Sequence, residues 1–352
     1  MEQLTTIISL VETKYNKDGE IGRMILYLLF MIMIVVAYQI VLVVHEGGHA
    51  VFGILTGYKI IIFRIENIAF IQEEGRVHLK FYQSYGSAGQ CVLCPPIVET
   101  GEDVPFALHT LGGIIGNIIL SIISVVLFLC SSNTNYIVEL FLALLFFISL
   151  LSALMNGIPY NGVAISNDGY NFKLLRNSAQ TRKSLYYQLQ IISKLCKGMT
   201  YKELPEEIVI VPKPSDQTNP ILAWHQMISY YRYLDNGRWA DAFEYLEEIE
   251  KYSCKYSKSL KYAVQAEKLF LMIKFELDFY EIEEIYVQIK KLIKNKKADF
   301  HLVKVQMAYE IYKKNNLRTR ERIRAELKAK ANTYPCKGDS LLCIKLIKGM
   351  MS

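Results

Sequence analysis

Charged residues are nearly absent from one long stretch of this 352-residue chain. Residues 24–55 contain a single charged side chain, Glu46, together with two histidines, His45 and His49. A helix on the surface of a soluble protein would carry polar residues along one face, so this stretch is not of that kind. About 20 apolar residues are enough to cross the hydrocarbon core of a bilayer. The sequence therefore predicts a membrane-spanning segment here.

Cysteines that would form a disulfide framework are also lacking. The seven cysteines are an odd number and are scattered over both halves of the chain. This pattern excludes the small disulfide-rich secreted class and favours a reducing compartment for the C-terminal half. The first twenty residues mix both charge signs, and no small-residue cleavage site follows the apolar run, so we expect no cleavable signal peptide. No nucleotide-binding loop or nucleic-acid-binding module is recognisable, so we expect no nucleic-acid partner.

Two further apolar runs follow at 106–129 and 137–158, and each is long enough to cross a bilayer. Basic residues are concentrated after the third run, which places that end in the cytoplasm. They are Lys173, Arg176, Arg182 and Lys183. Three spans then place the N-terminus outside, and the first helix carries His45 towards the cytoplasmic face. We therefore expect a multi-pass protein of the cell membrane in contact with the lipid bilayer.

The segment between the first two runs favours β-structure. Three short pieces, 58–64, 67–71 and 76–82, have strand-like composition, and the third alternates apolar and polar residues. This third piece would either pack against the helices or offer an edge to an extended peptide. Residues 83–105 are interpreted as a loop, including the Cys91 and Cys94 pair. A lone CxxC could bind metal or undergo redox chemistry, but no second pair accompanies it.

The remainder of the chain has a basic, helical pattern. Turn-like breaks recur about 40 residues apart, at 234–237, near Asp278 and at 314–316, and an amphipathic helix follows each of them. This suggests a short helical-repeat array similar to tetratricopeptide repeats. Such arrays offer extended concave surfaces, so this half would recruit a substrate or a protein adaptor. A basic patch facing the membrane surface is the alternative.

These patterns predict a mainly α-helical protein with a polytopic membrane core, a small β insertion and a cytosolic α-helical repeat domain. The expected parts are an extracytoplasmic leader at 1–22, the membrane core at 23–180, a linker with a helix at 181–219 and the repeat domain at 220–352.

A motif with two histidines four residues apart lies near the end of the first apolar run, in His45-Glu46-Gly47-Gly48-His49. On a helix the two imidazoles lie on one face, close enough to bind one zinc ion. Glu46 can take a proton from a water that zinc activates and pass it on. Catalytic zinc usually has three protein ligands. Asp168 is the best candidate for the third, because it is the first acid after Glu139; alternatively it caps the helix that follows.

The order of these elements resembles the site-2 protease family of intramembrane zinc metallopeptidases. The resemblance covers roughly residues 24–180. It rests on the apolar segment that ends in the His45 motif, a strand-rich stretch, a Gly-Gly-x-x-Gly-Asn helix at 112–117 and an Asn-x-x-Pro sequence at 156–159 before Asp168-Gly169. Carried over by motif, it implies His45, His49 and Asp168 as zinc ligands and Glu46 as the group that activates water.

One departure from the family pattern concerns the aspartate. The family's aspartate often follows a leucine and lies closer to the proline, whereas Asp168 follows Asn167 and lies nine positions after Pro159. The resemblance further implies a bacterial protein that cleaves a transmembrane or membrane-associated peptide, and the topology predicted from the basic residues places this cleavage near the cytoplasmic face. Asn156 would hydrogen-bond a substrate backbone, orient Asp168 or simply end its helix. Asn117 would contact neighbouring helices or the substrate.

Two other functional classes stay open at the level of sequence. The first is an inactive protein of the same fold that binds membrane peptides, for example for immunity, and that would not need Glu46. The second is a metal-dependent transporter or sensor. Three spans are few for transport, and a sensor does not need an open zinc position. The periplasmic PDZ domain of part of the family has no counterpart, because the link between the second and third apolar runs is short.

Overall fold

The structure, a computed structural model, describes residues 19–73, 75–82, 87–131, 136–161, 166–210, 214, 216–294, 299–314 and 316–351. Within these ranges the chain is mainly helical, with one small antiparallel sheet. Of the predicted leader, residues 1–18 lie outside the described residues, whereas residues 19–22 already belong to the first helix.

Three long apolar helices form a bundle in which each helix packs against the other two. They are α1 (Gly19–Leu55), α2 (Phe106–Cys130) and α3 (Tyr136–Gly157). All three are long and apolar enough to span a membrane, which is consistent with membrane association. Large apolar side chains are exposed along each of them. Helices that face lipid instead of water have this distribution, because the bilayer imposes no cost on apolar surface.

Helices α1 and α2 cross at glycines. A Cβ atom on Gly48 would overlap the carbonyl oxygen of Gly112, and a Cβ on Gly112 would lie 2.8 Å from the carbonyl carbon of Gly48. The two backbones can approach this closely only because neither residue has a side chain. The small residues of the second apolar run therefore let α2 pack tightly against α1.

The sheet follows α1 and has the strand order β3-β2-β1-β4. Its strands are β1 (Lys59–Ile65), β2 (Ile68–Glu73), β3 (Arg76–Phe81) and β4 (Gly89–Cys94). The first three confirm the predicted strand-like pieces to within two residues.

The fourth strand shows that the loop interpretation of residues 83–105 was wrong for 89–94, and with it the placement of Cys91 and Cys94 in a loop. Phe63 of β1 pairs with Cys91, and Leu93 is fully buried. Strand β4 lacks the alternating pattern of a half-exposed strand, because it is covered by α1 and by a later helix. The signal for this strand lies in its packing partners and not in its own periodicity.

The rest of the chain is a stack of helices. They are α4 (Asp168–Asn177), α5 (Ala179–Cys196), α6 (Glu206–Val209), α7 (Pro220–Asp235), α8 (Trp239–Glu250), α9 (Lys258–Lys274), α10 (Phe279–Ile293), α11 (Phe300–Lys313), α12 (Leu317–Thr333) and α13 (Lys337–Met351). Helices α7, α9, α11 and α13 pack in succession, and α13 also packs against α5. The predicted breaks near 236 and 278 fall between helices, and residues 314 and 316 of the third break lie between α11 and α12. Residues 201–209, from the stretch interpreted as a linker, contribute buried side chains to the same core.

A buried charged pair lies in this core. The Nζ atom of Lys304 and the Oε2 atom of Glu267 are 2.5 Å apart, and both side chains are almost completely buried. The hydroxyls of Tyr230 and Tyr231 also donate to this carboxylate, at 3.0 and 3.3 Å. The pair therefore joins α11, α9 and α7.

Replacing Lys304 with methionine is expected to lower the free energy of unfolding by about 3–5 kcal/mol, because Glu267 would stay buried without its closest counter-ion. The matched control is Lys313→Met, which removes a part-exposed pair with Glu283 and should cost about 0–1 kcal/mol. Both tryptophans lie in α7 and α8, so urea titration in detergent micelles followed by tryptophan emission reports this half directly. Equal losses of unfolding free energy in the two variants would contradict a stabilising role of the buried pair between Lys304 and Glu267.

Candidate metal centre

The predicted site residues meet at one end of the helical bundle. The last third of α1, the start of α2, the end of α3 and the start of α4 come together there, and β4 packs against α1 beside them. The chain reaches this end three times because α1 runs towards it, α2 runs away from it and α3 returns. Side chains distant in sequence are thereby brought into one place.

His45, His49 and Asp168 form a close group. The Oδ2 atom of Asp168 lies 3.2 Å from Nε2 of His45 and 3.4 Å from Nε2 of His49, and the two Nε2 atoms are 3.3 Å apart. The three side chains are 12, 13 and 21% exposed. A group of two imidazole nitrogens and one carboxylate oxygen at these distances could hold a metal ion.

The state of Asp168 fits a metal ligand. Its Oδ2 atom is buried and accepts no hydrogen bond of good geometry, although buried carboxylate oxygens normally have a partner. Burial alone would raise the pKa of the Asp168 carboxyl, but the two imidazoles beside it hold this pKa well below its usual range. The carboxylate is therefore ionised, as a ligand must be, and a cation between the three groups would satisfy its free oxygen.

The other nitrogen of His49 is fixed by the main chain. Its Nδ1 atom donates to the carbonyl oxygen of His109 on α2, at 2.8 Å. With the proton on Nδ1, the Nε2 lone pair points to the centre of the group, as metal-ligating histidines require. The ring of His109 stacks on Tyr58, with centroids 4.8 Å apart. No side-chain pattern in the sequence indicates the contact between His49 and His109, because it is made by a backbone carbonyl.

The other nitrogen of His45 faces Asn117. Nδ2 of Asn117 lies 3.2 Å from Nδ1 of His45 and 2.9 Å from Oγ of Ser152 on α3, and Asn117 is completely buried. With Nδ2 of Asn117 as the donor, Nδ1 of His45 accepts and the proton of His45 lies on Nε2. A metal at Nε2 would shift that proton to Nδ1, and a half-turn of the amide would then present the oxygen that accepts it. The structure thus places Asn117 behind a candidate ligand, in contact with two neighbouring helices.

Asn167, and not Asp168, caps helix α4, so the alternative that Asp168 is a capping residue was wrong. The Oδ1 atom of Asn167 accepts from the backbone N–H of Tyr170 at 2.9 Å, whereas Asp168 is the first residue of the helix. The Nδ2 atom of Asn167 donates to the carbonyls of Met155 and Ile158, at 2.7 and 2.6 Å. Asn167 therefore joins the end of α3 to the start of α4 and holds Asp168 against the histidines.

Asn167→Ala is expected to weaken metal binding by about 10- to 100-fold, the usual cost of losing a group that orients a ligand. The change leaves all three candidate ligands in the chain but removes the clamp on Asp168. The measurement is a metal titration against a competing chelator. Asn236→Ala is the control, because Asn236 makes an exposed bond to its own helix at the far end of α7. Unchanged affinity in Asn167→Ala would show that the clamp does not position Asp168.

Glu46 lies beside the metal group and against the sheet. It is 8% exposed, and a Cβ atom on Gly89 of β4 would lie 2.5 Å from its Cγ. Glycine at this position leaves the space that the carboxylate occupies. Glu46 shares one cavity of about 970 Å³ with His45, His49 and Asp168. A carboxylate next to a bound metal can accept a proton from a water there and return it to a product.

Asn156 lines the same cavity from the end of α3. Its Nδ2 atom donates to the carbonyl of Ser152 in its own helix, at 2.9 Å, so its Oδ1 atom is the end that remains for a ligand.

The chain was compared with models of known protein families, with curated proteins and with solved structures, and it matches none of them. Its function therefore has to follow from the geometry of the residues described above.

Proposed function

We propose that this chain is an intramembrane zinc metallopeptidase that hydrolyses a peptide bond of a transmembrane or membrane-associated peptide near the cytoplasmic face. The observation that carries the proposal is the convergence of His45, His49 and Asp168 in one cavity with Glu46, at the end of an apolar bundle. Such a group is expensive to bury among apolar helices unless it has an interior role.

Zinc is the metal that two histidines and one carboxylate favour in a hydrolytic site. When bound, it would lower the pKa of a coordinated water and polarise a substrate carbonyl. His45, His49 and Asp168 would hold it, and His109 and Asn117 would keep the two rings oriented. Three protein ligands leave a position open for water, which distinguishes a catalytic site from a structural one.

Glu46 acts as the general base in this proposal. Its position beside the group, against Gly89, lets it take a proton from water and later donate one to the departing amine. Helices α1, α2 and α3 keep bulk water away from the site on the bundle side. An inactive peptide-binding protein of the same fold would have no use for a carboxylate at this place.

Strand β4 offers an edge on which the substrate can be extended. Proteolysis requires an unwound peptide, and an edge strand binds one through its free backbone groups. Among the described residues strand β4 pairs with β1 on one side only, and residues 87–91 line the cavity. Strand β3, whose alternation first suggested such an edge, lies three strand spacings away, roughly 14 Å. We therefore assign the substrate edge to β4 and not to β3.

The proposed topology places the site end of the bundle at the cytoplasmic face. Lys173, Arg176, Arg182 and Lys183 all follow α3 at that end, within α4 and α5, which agrees with the preference of cytoplasmic segments for basic residues. Helices α7 to α13 then form a cytosolic tetratricopeptide-like domain, in which α7/α8, α9/α10 and α11/α12 are the helix pairs. It would bind a substrate or an adaptor.

The test of the proposal is a comparison of membrane peptides in cells that express the wild-type chain or the Glu46→Gln variant. An intact peptide that accumulates only with the variant, and whose fragments appear only with the wild type, would support proteolysis and would identify the substrate. Identical peptide profiles, with both proteins inserted in the membrane and loaded with metal, would overturn it.

A further inference from the structure

The cavity of the metal group has a second wall, made by the C-terminal helices. The start of α7 (Pro220, Ile221 and Trp224) and the start of α9 (Ser257 and Ser259) line the same cavity as His45 and Glu46. The C-terminal half is therefore part of the site and does more than offer a distant docking surface.

Buried hydrogen bonds hold the first turn of α7 in place. Asn219 is 4% exposed and caps the helix, since its Oδ1 atom accepts from the N–H of Ile221 at 3.0 Å. Its Nδ2 atom donates to Oγ1 of Thr181 on α5, at 2.8 Å. From α5, Nε2 of Gln188 donates to the carbonyl of Ile221 at 2.8 Å. The wall is thus fixed to the helix that directly follows α4, which carries Asp168.

A neutral histidine extends this attachment. Burial lowers the pKa of His225 to about 4, so the ring is uncharged at neutral pH. Its Nε2 atom donates to the carbonyl of Ile208 at 2.9 Å, and its Nδ1 atom accepts from the hydroxyl of Ser184 on α5 at 3.0 Å. Because every contact of this ring is satisfied inside the protein, α7 has little freedom to move away from the cavity.

Trp224 faces the cavity. It is 37% exposed, although its neighbours Ala223 and His225 are essentially buried. With Ile221, Leu175 and Leu185 it gives this wall an apolar lining. No lysine or arginine is found among the described residues that line the cavity. The wall therefore suits an uncharged, large apolar or aromatic group.

We propose that Trp224, Ile221 and Leu185 form a substrate subsite that binds a large apolar or aromatic side chain on the cytoplasmic side of the scissile bond. This inference rests on the proposed function for the orientation of the peptide. It assigns the C-terminal helices a direct part in substrate selection. An aromatic contact with Trp224 contributes about 2- to 10-fold in affinity.

The two tryptophans of the chain allow a direct test. Trp224 lines the cavity, whereas Trp239 packs against Phe275 in the helical core. In the full-length Trp239→Phe protein the single tryptophan that emits is Trp224. In the Trp224→Phe protein the single tryptophan that emits is Trp239. The probes are hydrophobic transmembrane peptides in liposomes that carry a dinitrophenyl quencher. They differ at one cytoplasmic-side position, which is Phe, Leu, Ala or Asp.

We expect the Phe and Leu peptides to quench Trp224 but not Trp239, with apparent affinities that fall about 10-fold or more from Phe to Asp. Trp224→Ala has no Trp224 emission, so its peptide binding is measured by pull-down with the detergent-solubilised protein, and its preference for Phe should be lower by about 2- to 10-fold. Peptides that bind without quenching Trp224, or a preference unchanged in Trp224→Ala, would overturn the subsite. Quenching by dibrominated lipid without peptide would show a lipid-filled cavity and would also overturn it.

The same liposomes separate this inference from the proposed function. Cleavage is scored by mass spectrometry and binding by quenching, so the two readouts are independent. Selective quenching without Glu46-dependent cleavage would support the subsite and overturn the peptidase. Cleavage with no dependence on the varied position would support the peptidase and overturn the subsite. Failure of every peptide to bind would overturn both.

Discussion

Glu46→Gln is expected to lower the rate of peptide cleavage by about 10²- to 10⁴-fold, the usual contribution of a general acid–base group. Glutamine has the shape of glutamate but cannot accept a proton from water at neutral pH. Because His45, His49 and Asp168 are unchanged, the metal content should stay at the wild-type level. The measurement pairs metal analysis with the cleavage rate of a transmembrane peptide in liposomes.

Glu139→Gln is the matched control for this prediction. Glu139 lies in the first turn of α3, at the opposite end of the helix from the site, and it undergoes the same chemical change. We expect its cleavage rate to equal that of the wild type. If the Glu46→Gln protein keeps its metal and cleaves at the wild-type rate, Glu46 is not the general base of the reaction. A loss of metal would instead mean that Glu46 supports the ligand group.

The apolar runs and the histidine motif were predictable from sequence because their signals are local. Bilayer length fixes the extent of a spanning helix, and the spacing of four residues places His45 and His49 on one helix face. The structure confirms three long apolar helices and brings these two rings together. Asp168 needed more than spacing, since nothing local connects it to α1. Asp168 was a candidate only because it is the first acidic residue after Glu139 and because it matches the aspartate of the site-2 protease pattern.

The residues that orient the ligands were the part that sequence reasoning missed. His109 contributes only a carbonyl oxygen, which every residue possesses, so no side-chain pattern can indicate it. Asn167 was noted only as a departure from a family pattern, whereas in the structure it joins two helices. Strand β4 was missed because its pairing with β1 and the helices over it compensate for its weak alternation. Each of these roles comes from contacts between segments far apart in the chain.

The contact of Trp224 with the cavity could not be predicted from the sequence either. Trp224 lies near the start of α7 and has buried neighbours on both sides, Ala223 and His225. Its exposure depends on where α7 attaches to α5, through Asn219 and Gln188. Helix periodicity predicts which residues share a face, but it does not predict what that face meets.

Gly113→Ala is expected to abolish metal binding at concentrations that saturate the wild type. A Cβ atom on Gly113 would lie 2.6 Å from Nε2 of His45 and 2.6 Å from Nε2 of His49, the two candidate ligand nitrogens. Carbon and nitrogen cannot approach so closely without displacing both rings. Losing the groups that orient a ligand costs about 10- to 100-fold in affinity, and a methyl group against both ligand atoms should cost at least as much. Cleavage should fall with the metal.

The glycines at the start of α2 look alike in sequence but have different neighbours in the structure. Gly112 and Gly116 lie close to the backbone of α1, near Gly48 and Val44, whereas Gly113 lies against the imidazoles. Alanine is the better helix former by roughly 1 kcal/mol, so helix α2 itself is not weakened by the change. The effect on the metal should therefore exceed any effect on folding, which the tryptophan emission of the C-terminal helices monitors.

Gly47→Ala is the control for Gly113→Ala, and it lies within the metal motif itself. A Cβ atom on Gly47 would meet nothing within 4 Å, so we expect metal affinity and cleavage close to the wild type. If metal binding depends on free space around the histidine nitrogens, Gly47→Ala in the motif is tolerated and Gly113→Ala on the facing helix α2 is not. Wild-type metal affinity in Gly113→Ala would mean that the rings do not lie against α2 when metal is bound, and the arrangement of His45, His49 and Asp168 as joint ligands would have to be abandoned.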